Sequence, residues 1–167
     1  MPTPSLSPSE FRKALGHFTT GVTVVTVERE PGKIHGMTAN SFTAVSLHPL
    51  LILVCVDHRA KILALLESKK QFGVSVLKQS QQALSEYFAK GLHNSETEQR
   101  LGIRFRSTPS GAYVVEDTLL QLSCKLHASH VAGDHTVFIG EVEDAQVNEG
   151  EPLLYFRGEY RKISRPS

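Results

Sequence analysis

Among the twelve glycines of this 167-residue chain no two stand one residue apart, so the Gly-x-Gly fingerprint of a dinucleotide-binding βαβ unit is missing. Gly16 and Gly21 have the spacing of a phosphate-binding loop, but Val22 stands where the lysine would be. No His-Glu-x-x-His is present to hold zinc, and no Gly-x-Ser-x-Gly elbow to raise a nucleophilic serine. His127 and His130 lie three apart on an expected strand and so point to opposite faces. Only tertiary proximity could gather them with His135, and no cysteine or carboxylate pair stands at ligand spacing, so no metal site is expected. Cysteine is scarce as well. Cys55 and Cys124 sit in separate apolar runs without Cys-x-x-Cys spacing and read as buried free thiols of a reducing compartment.

Neither sign of charge is in surplus: eighteen basic residues face seventeen acidic ones, and no basic run occurs. Nucleic acid and anionic membrane are therefore not expected as partners. No apolar stretch approaches the roughly 20 residues that cross a bilayer. The opening Met1-Pro2-Thr3-Pro4-Ser5-Leu6-Ser7 lacks the basic-then-apolar order of a secretory leader. These absences predict a cytoplasmic protein, a single domain over residues 1–167 with residues 1–7 as an N-terminal tail. A hydrophobic fraction of 40% is enough for a real core at this length.

The elements that are present read mainly as short strands. Ser7-Pro8-Ser9-Glu10 forms a helix start, with Ser7 as N-cap, Pro8 at the first helical position and Glu10 closing a capping box. Phe11, Leu15 and Phe18 then recur on one face, and Gly21 ends the pattern. The β-branched run 22–27 favours a strand, and Glu30-Pro31-Gly32-Lys33 turns it back into a hairpin with 34–37. The continuous apolar run 50–56 is expected to be a central strand covered on both faces, followed by a helix over 61–67. A strand over 72–77 and a helix around 81–89 come next. Residues 90–110 are polar without a clear period and read as a long surface excursion around Leu101, Ile103 and Phe105. Alternation over 120–128, 136–147 and 153–160 predicts three further strands. Short strands with few helices argue for a β-barrel or sandwich with peripheral helices.

The chemistry concentrates in His35-Gly36-Met37-Thr38-Ala39-Asn40-Ser41-Phe42-Thr43-Ala44-Val45-Ser46-Leu47-His48-Pro49. Hydroxyl and amide side chains cluster there without a nucleophile–base pair, which suits holding a polar, phosphorylated ligand. Asn40 and Ser41 can donate to a sugar-like chain or a ring edge, and Ser46 to a phosphate. Small Ala39 and Ala44 let a planar ring approach the backbone. A plain strand–loop–strand corner, with hydroxyls satisfying their own backbone, fits the composition equally well.

Four segments carry a resemblance. Gly16-His17-Phe18-Thr19-Thr20-Gly21-Val22-Thr23-Val24-Val25-Thr26 and the 35–49 segment are followed by Gly133-Asp134-His135-Thr136-Val137-Phe138-Ile139-Gly140-Glu141-Val142 and Pro152-Leu153-Leu154-Tyr155-Phe156-Arg157-Gly158-Glu159-Tyr160. Together they resemble, in order from about residue 10 to 162, the short-chain flavin reductase family. The resemblance implies an FMN-binding split β-barrel and a homodimer with flavin near the subunit interface. It also implies reduction of FMN or FAD by NADH or NADPH, and release of reduced flavin to a partner monooxygenase acting on an aromatic compound.

Carried over position by position, Met37, Thr38, Ala39, Asn40, Ser41 and Ser46 would contact flavin. Cys55, Val56 and Asp57 would line its ring or tail, and Lys61 would neutralise phosphate at a helix start. Lys61 also reads as a solvated helix charge, and Asp57 as an N-cap. His135 would orient the nicotinamide, with Tyr155, Phe156 and Arg157 packing against or anchoring that nucleotide. Without the family context His135 is a turn histidine, and 155–157 a core strand ending in a surface arginine. Asp134 could fix the His135 tautomer, although neighbours along a strand face opposite ways. Hydride transfer from nicotinamide to flavin requires proximity and orientation rather than an acid–base residue, in keeping with the missing triad. A flavin store or electron-transfer module on the same barrel is the alternative. Pyridoxamine phosphate oxidation on a related barrel draws little support from these segments.

Overall fold

The computed structural model describes residues 6–91 and 93–164. Its first element, α1 (Pro8–Leu15), starts on the expected capping box: Ser7 Oγ accepts from Glu10 N, and the Glu10 carboxylate accepts from Ser7 N. The predicted tail over 1–7 otherwise lies mostly outside the described residues. The predicted apolar stripe of α1 is present but uncovered, with Phe11, Leu15 and Phe18 all more than half exposed.

After β1 (Thr20–Gly21) the chain builds its main sheet from β2 (Thr23–Glu30), β3 (Lys33–Ala39), β4 (Phe42–Leu47) and β5 (Leu50–Asp57). Helix α2 (Ile62–Lys69) leads to β6 (Gln71–Val76), and α3 (Gln82–Ala89) precedes α4 (Ser95–Arg100) and a small β7 (Phe105–Ser107) and β8 (Tyr113–Val115) pair. Two thirteen-residue strands, β9 (Leu120–Ala132) and β10 (His135–Val147), complete the sheet. A final hairpin of β11 (Leu154–Phe156) and β12 (Glu159–Arg161) pairs with β1 in a separate sheet.

The seven-stranded sheet runs β3-β2-β6-β9-β10-β5-β4, and every pairing in it is antiparallel. Alternating direction six times along that order leaves β3 and β4, its two edges, running the same way. They are successive pieces of one bent strand: its first half pairs with β2 as far as Thr23 opposite Ala39, and its second half pairs with β5 from Phe42 opposite Val54. Between the halves, Asn40 and Ser41 belong to neither ladder. The barrel is split at those two residues, within the segment that the sequence singled out.

The run 50–56 departs from expectation. Ile52, Val54 and Val56 are buried, whereas Leu51, Leu53 and Cys55 are only half-buried. The strand covered on both faces is β2: Val25 and Val27 join the barrel interior, and Val24 joins a second cluster outside it. The difference follows from where the helices pack. Ile62 and Leu66 of α2 close the interior, each fully buried and worth about 1.5–3 kcal/mol of apolar burial. Leu84, Tyr87 and Phe88 of α3 cover the outside of β2, and no helix packs extensively on β5 among the described residues.

The 90–110 excursion is more ordered than its composition suggests. It holds α4, capped by Asn94, whose side chain accepts from Thr97 N at 3.1 Å. Ile103 is buried, and Leu101 and Phe105 lean on the second cluster. Residues 153–160 form a hairpin rather than one strand, because Arg157 and Gly158 both adopt positive φ and reverse the chain.

Candidate functional site

The β5–β10 ladder brings two distant motifs side by side. Cys55 stands opposite Val137, and Asp57, the last residue of β5, stands opposite His135, the first of β10. The connection between β9 and β10 is only Gly133-Asp134, and Gly133 takes φ +63° as a two-residue hairpin requires. Asp134 is thus a turn residue, free of the alternation that argued against its pairing with His135. Its carboxylate lies 2.7 Å from His135 Nδ1. A carboxylate can only accept, so Nδ1 carries the proton and Nε2 is left for a ligand. The same contact holds the Asp134 carboxyl below its ordinary range.

Asp57 does not cap α2. Its Oδ1 accepts from Arg59 N at 2.8 Å and Arg59 Nε at 3.0 Å, while Oδ2 accepts from the same guanidinium at 2.6 Å. These bonds push its carboxyl well below the usual carboxylate range. His58 completes the corner: its backbone N donates to Asp134 O at 3.0 Å, and Nε2 lies 3.2 Å from Thr136 Oγ1. Arg59 and His58 were not singled out from the sequence. The Asp-x-Arg spacing, which closes a turn through the aspartate, was the available signal.

In the split segment some side chains are taken up by the fold and others keep free donors. Ser41 Oγ accepts from Cys55 N at 3.1 Å and donates to Cys55 O at 2.9 Å, so its bonding is internal. Thr38 Oγ1 donates to Ser85 O at 2.6 Å. Asn40 is exposed, and its side chain makes no hydrogen bond among the described residues. Ser46 Oγ accepts from His48 N at 3.2 Å and keeps its own proton to donate. Met37 and Ala39 pack against the barrel interior, and Val56 is fully buried in it, so Val56 can face a ligand only through its backbone. Cys55 is half-buried rather than enclosed, with its thiol pushed up by burial, while Cys124 is fully buried and pushed up to about 12.

Lys61 is the exposed residue preceding α2 and makes no cap hydrogen bond. It is close enough to act electrostatically on His35 and His93, whose rings lie 4.1 Å apart at a tilt of 58°, His93 belonging to the 90–110 excursion. Burial first, then His93, Arg29 and Lys61, lower the His35 pKa to about 4.

The residues 155–157 sit apart from this corner, on the separate hairpin. Tyr155 lies against Tyr160 at 5.4 Å, Phe156 meets His17 edge-on at 6.2 Å, and Arg157 is exposed at the turn. Two clefts of about 240 and 440 Å³ lie near α3, β8 and Lys78, away from the split. Several of their charged groups are paired internally: Lys78 with Asp117, Arg104 with Glu116, Arg106 with the Gln121 amide. No group of three or more metal-binding side chains converges among the described residues.

The split outside either ladder, the Asn40 amide, the Ser46 hydroxyl and Lys61 offer donors and charge, and the half-buried face of β5 offers apolar surface, a combination that suits a phosphorylated ring system such as flavin. Residues 15–164 match the family model described as a flavin reductase like domain. An NADH-dependent flavin reductase of a Rhodococcus species is 38% identical over 96% of this chain and 89% of its own length. The reductase component of 4-hydroxyphenylacetate 3-monooxygenase from Thermus thermophilus is 39% identical over 94% of this chain and 97% of its own. Among solved structures, the flavin reductase PheA2 in its native state superposes with a TM-score of 0.86 at 42% identity, covering 95% of this chain and 99% of that one.

Proposed function

This chain belongs to the flavin reductase like family, and we propose that it is an NAD(P)H:flavin oxidoreductase that reduces FMN or FAD and supplies the free reduced flavin to a partner monooxygenase acting on an aromatic compound. The observation that carries the reading is the β5–β10 register. It sets His135, with Nδ1 held by Asp134, directly across from the end of the strand whose Cys55 is tied to Ser41 of the split. This register supports a reading in which His135 would orient the nicotinamide beside the segment that would hold the flavin.

Bound flavin supplies the two-electron acceptor at this site. Asn40 and Ser46 would hold its polar chain and phosphate, Lys61 would add charge, and Cys55 with Asp57 would border the ring. His135 Nε2 would hydrogen-bond the nicotinamide nucleotide, and Tyr155, Phe156 and Arg157 would pack on its far side. The side chains act by orientation, which suffices for a transfer needing reacting atoms about 3–3.5 Å apart.

A homodimer goes with this reading. The uncovered stripe of α1 and the exposed Val45, Leu47 and Leu50 at the open end of the sheet are apolar surface of the kind an obligate partner covers. The chain is a single domain over 1–167 acting in the cytoplasm, in keeping with two unpaired thiols. No helix among the described residues is long and apolar enough to cross a membrane.

The test is to mix the protein with NADH or NADPH, each with FMN, FAD or no added flavin, and follow loss of reduced-nicotinamide absorbance. Oxidation that depends on added flavin is expected. A protein that keeps its flavin and oxidises neither nucleotide would instead be a flavin store.

A further inference from the structure

The hairpin β11–β12 belongs to a different sheet from the flavin segment, yet both are fastened to one buried residue. Ser85, in the middle of α3, is fully buried. Its backbone oxygen accepts from Thr38 Oγ1 at 2.6 Å, and its own hydroxyl lies 2.8 Å from the Tyr160 phenol. Tyr160 stands opposite Tyr155 in the hairpin register, with the two rings 5.4 Å apart. The hairpin and its lead-in are also held by the β1–β11 ladder and by Gln79 N to Glu151 O, Leu153 N to Leu77 O and Arg157 N to Gly16 O, all to residues outside the split segment.

We infer that Ser85 and Tyr160 are positioning residues, fixing the nicotinamide hairpin at a set distance from the flavin segment. The inference rests on the proposed placement of flavin at the split and nicotinamide against 155–157. Helix α3 is well suited as the brace, because Leu84, Tyr87 and Phe88 anchor it in the second cluster on either side of Ser85. Hydrogen bonds to a residue without solvent access are made in a low-dielectric setting and are geometrically strict. A misplacement of about 1 Å between reacting groups can cost on the order of 100-fold in rate, so a brace matters even far from the reacting atoms.

The experiment compares Ser85→Ala, Tyr160→Phe and the double variant with wild type. It measures kcat and KM for NADH, the dissociation constant for the flavin that wild type uses, and the isotope effect with NADH deuterated at the transferred position. Each single variant should lose about three- to tenfold in kcat/KM for NADH, the scale of one ordinary hydrogen bond. The double variant should lose no more than either single one. Flavin affinity should be unchanged, since Ser85→Ala keeps the carbonyl that receives Thr38, and the isotope effect should rise. Wild-type NADH kinetics in Tyr160→Phe would overturn the inference, as would losses that multiply in the double variant or an equal loss of flavin affinity. Tyr160→Phe keeps the ring, so it serves alone if Ser85→Ala does not fold. Absence of flavin-dependent turnover in wild type would defeat the functional reading itself, an outcome distinct from all of these.

Discussion

Ser41 and Cys55 exchange two hydrogen bonds through a single hydroxyl, which receives the Cys55 N–H and returns its own proton to the Cys55 carbonyl. The residue beside Ser41, Asn40, makes no comparable bond among the described residues. Adjacent positions of one motif therefore do different work. Ser41→Ala leaves a half-buried backbone pair without partners and should lower unfolding free energy by about 1–3 kcal/mol in urea titration. Asn40→Ala should leave that midpoint in place and weaken flavin binding, read by quenching of flavin fluorescence. The opposite pattern would exchange their roles.

His135→Ala should raise KM for NADH about tenfold, the scale of one hydrogen bond to a charged or well-oriented group, while leaving flavin affinity unaltered. Asp134→Asn should act in the same direction but less strongly, because the amide can accept through its oxygen without the charge that holds Nδ1–H. A comparable rise in the flavin dissociation constant for His135→Ala would move this residue from the nicotinamide to the flavin.

Acid should loosen the fold through the His35–His93 contact. The His35 pKa is about 4 in the folded chain against an ordinary 6.5, and His93 is lowered in the same sense. The unfolded chain then binds more protons than the folded one below pH 6.5, so stability falls from there toward pH 4 and is unaffected by this pair above 6.5. Thermal melting from pH 7.5 to 4.5 should show the decline, of about 2 kcal/mol for His35. His35→Gln should flatten part of it. A melting temperature independent of pH over that window would refute the assignment.

The two thiols should separate cleanly under alkylation. Cys55 is half-buried at the split and should react slowly at pH 8, more slowly still with flavin present. Cys124, enclosed and pushed up to about 12, should react only on unfolding. Equal protection of both with and without flavin would place the ligand elsewhere.

The parts of this molecule most legible in sequence were those set by local rules. The Ser7 capping box, the Gly32 turn and the alternation of β9 and β10 follow from a few consecutive residues each. The segments proposed to carry the site were singled out by resemblance. Less legible was anything decided by what packs on top. The run 50–56 is as apolar as a strand covered on both faces, yet among the described residues no helix packs extensively on it, whereas the threonine-laced β2 lies under two helices. The Asp134–His135 contact turned on one residue of register, which decides whether a side chain follows strand alternation or sits in the turn. Ser85 gave no sign at all, since its importance lies in joining Thr38, 47 positions before it, to Tyr160, 75 positions after it.

The split also bears on how this protein keeps company with itself. Two half-strand edges meet at Asn40 and Ser41, outside either ladder, and the flavin proposed to bind there would cover them until its release. Exposed edges are templates for pairing with other chains, so a protein that gives its flavin away is at its stickiest just after it has done so. Colloidal stability and turnover are thereby linked: preparations poor in flavin should be the first to cloud, and a modest excess of flavin should act as their preservative.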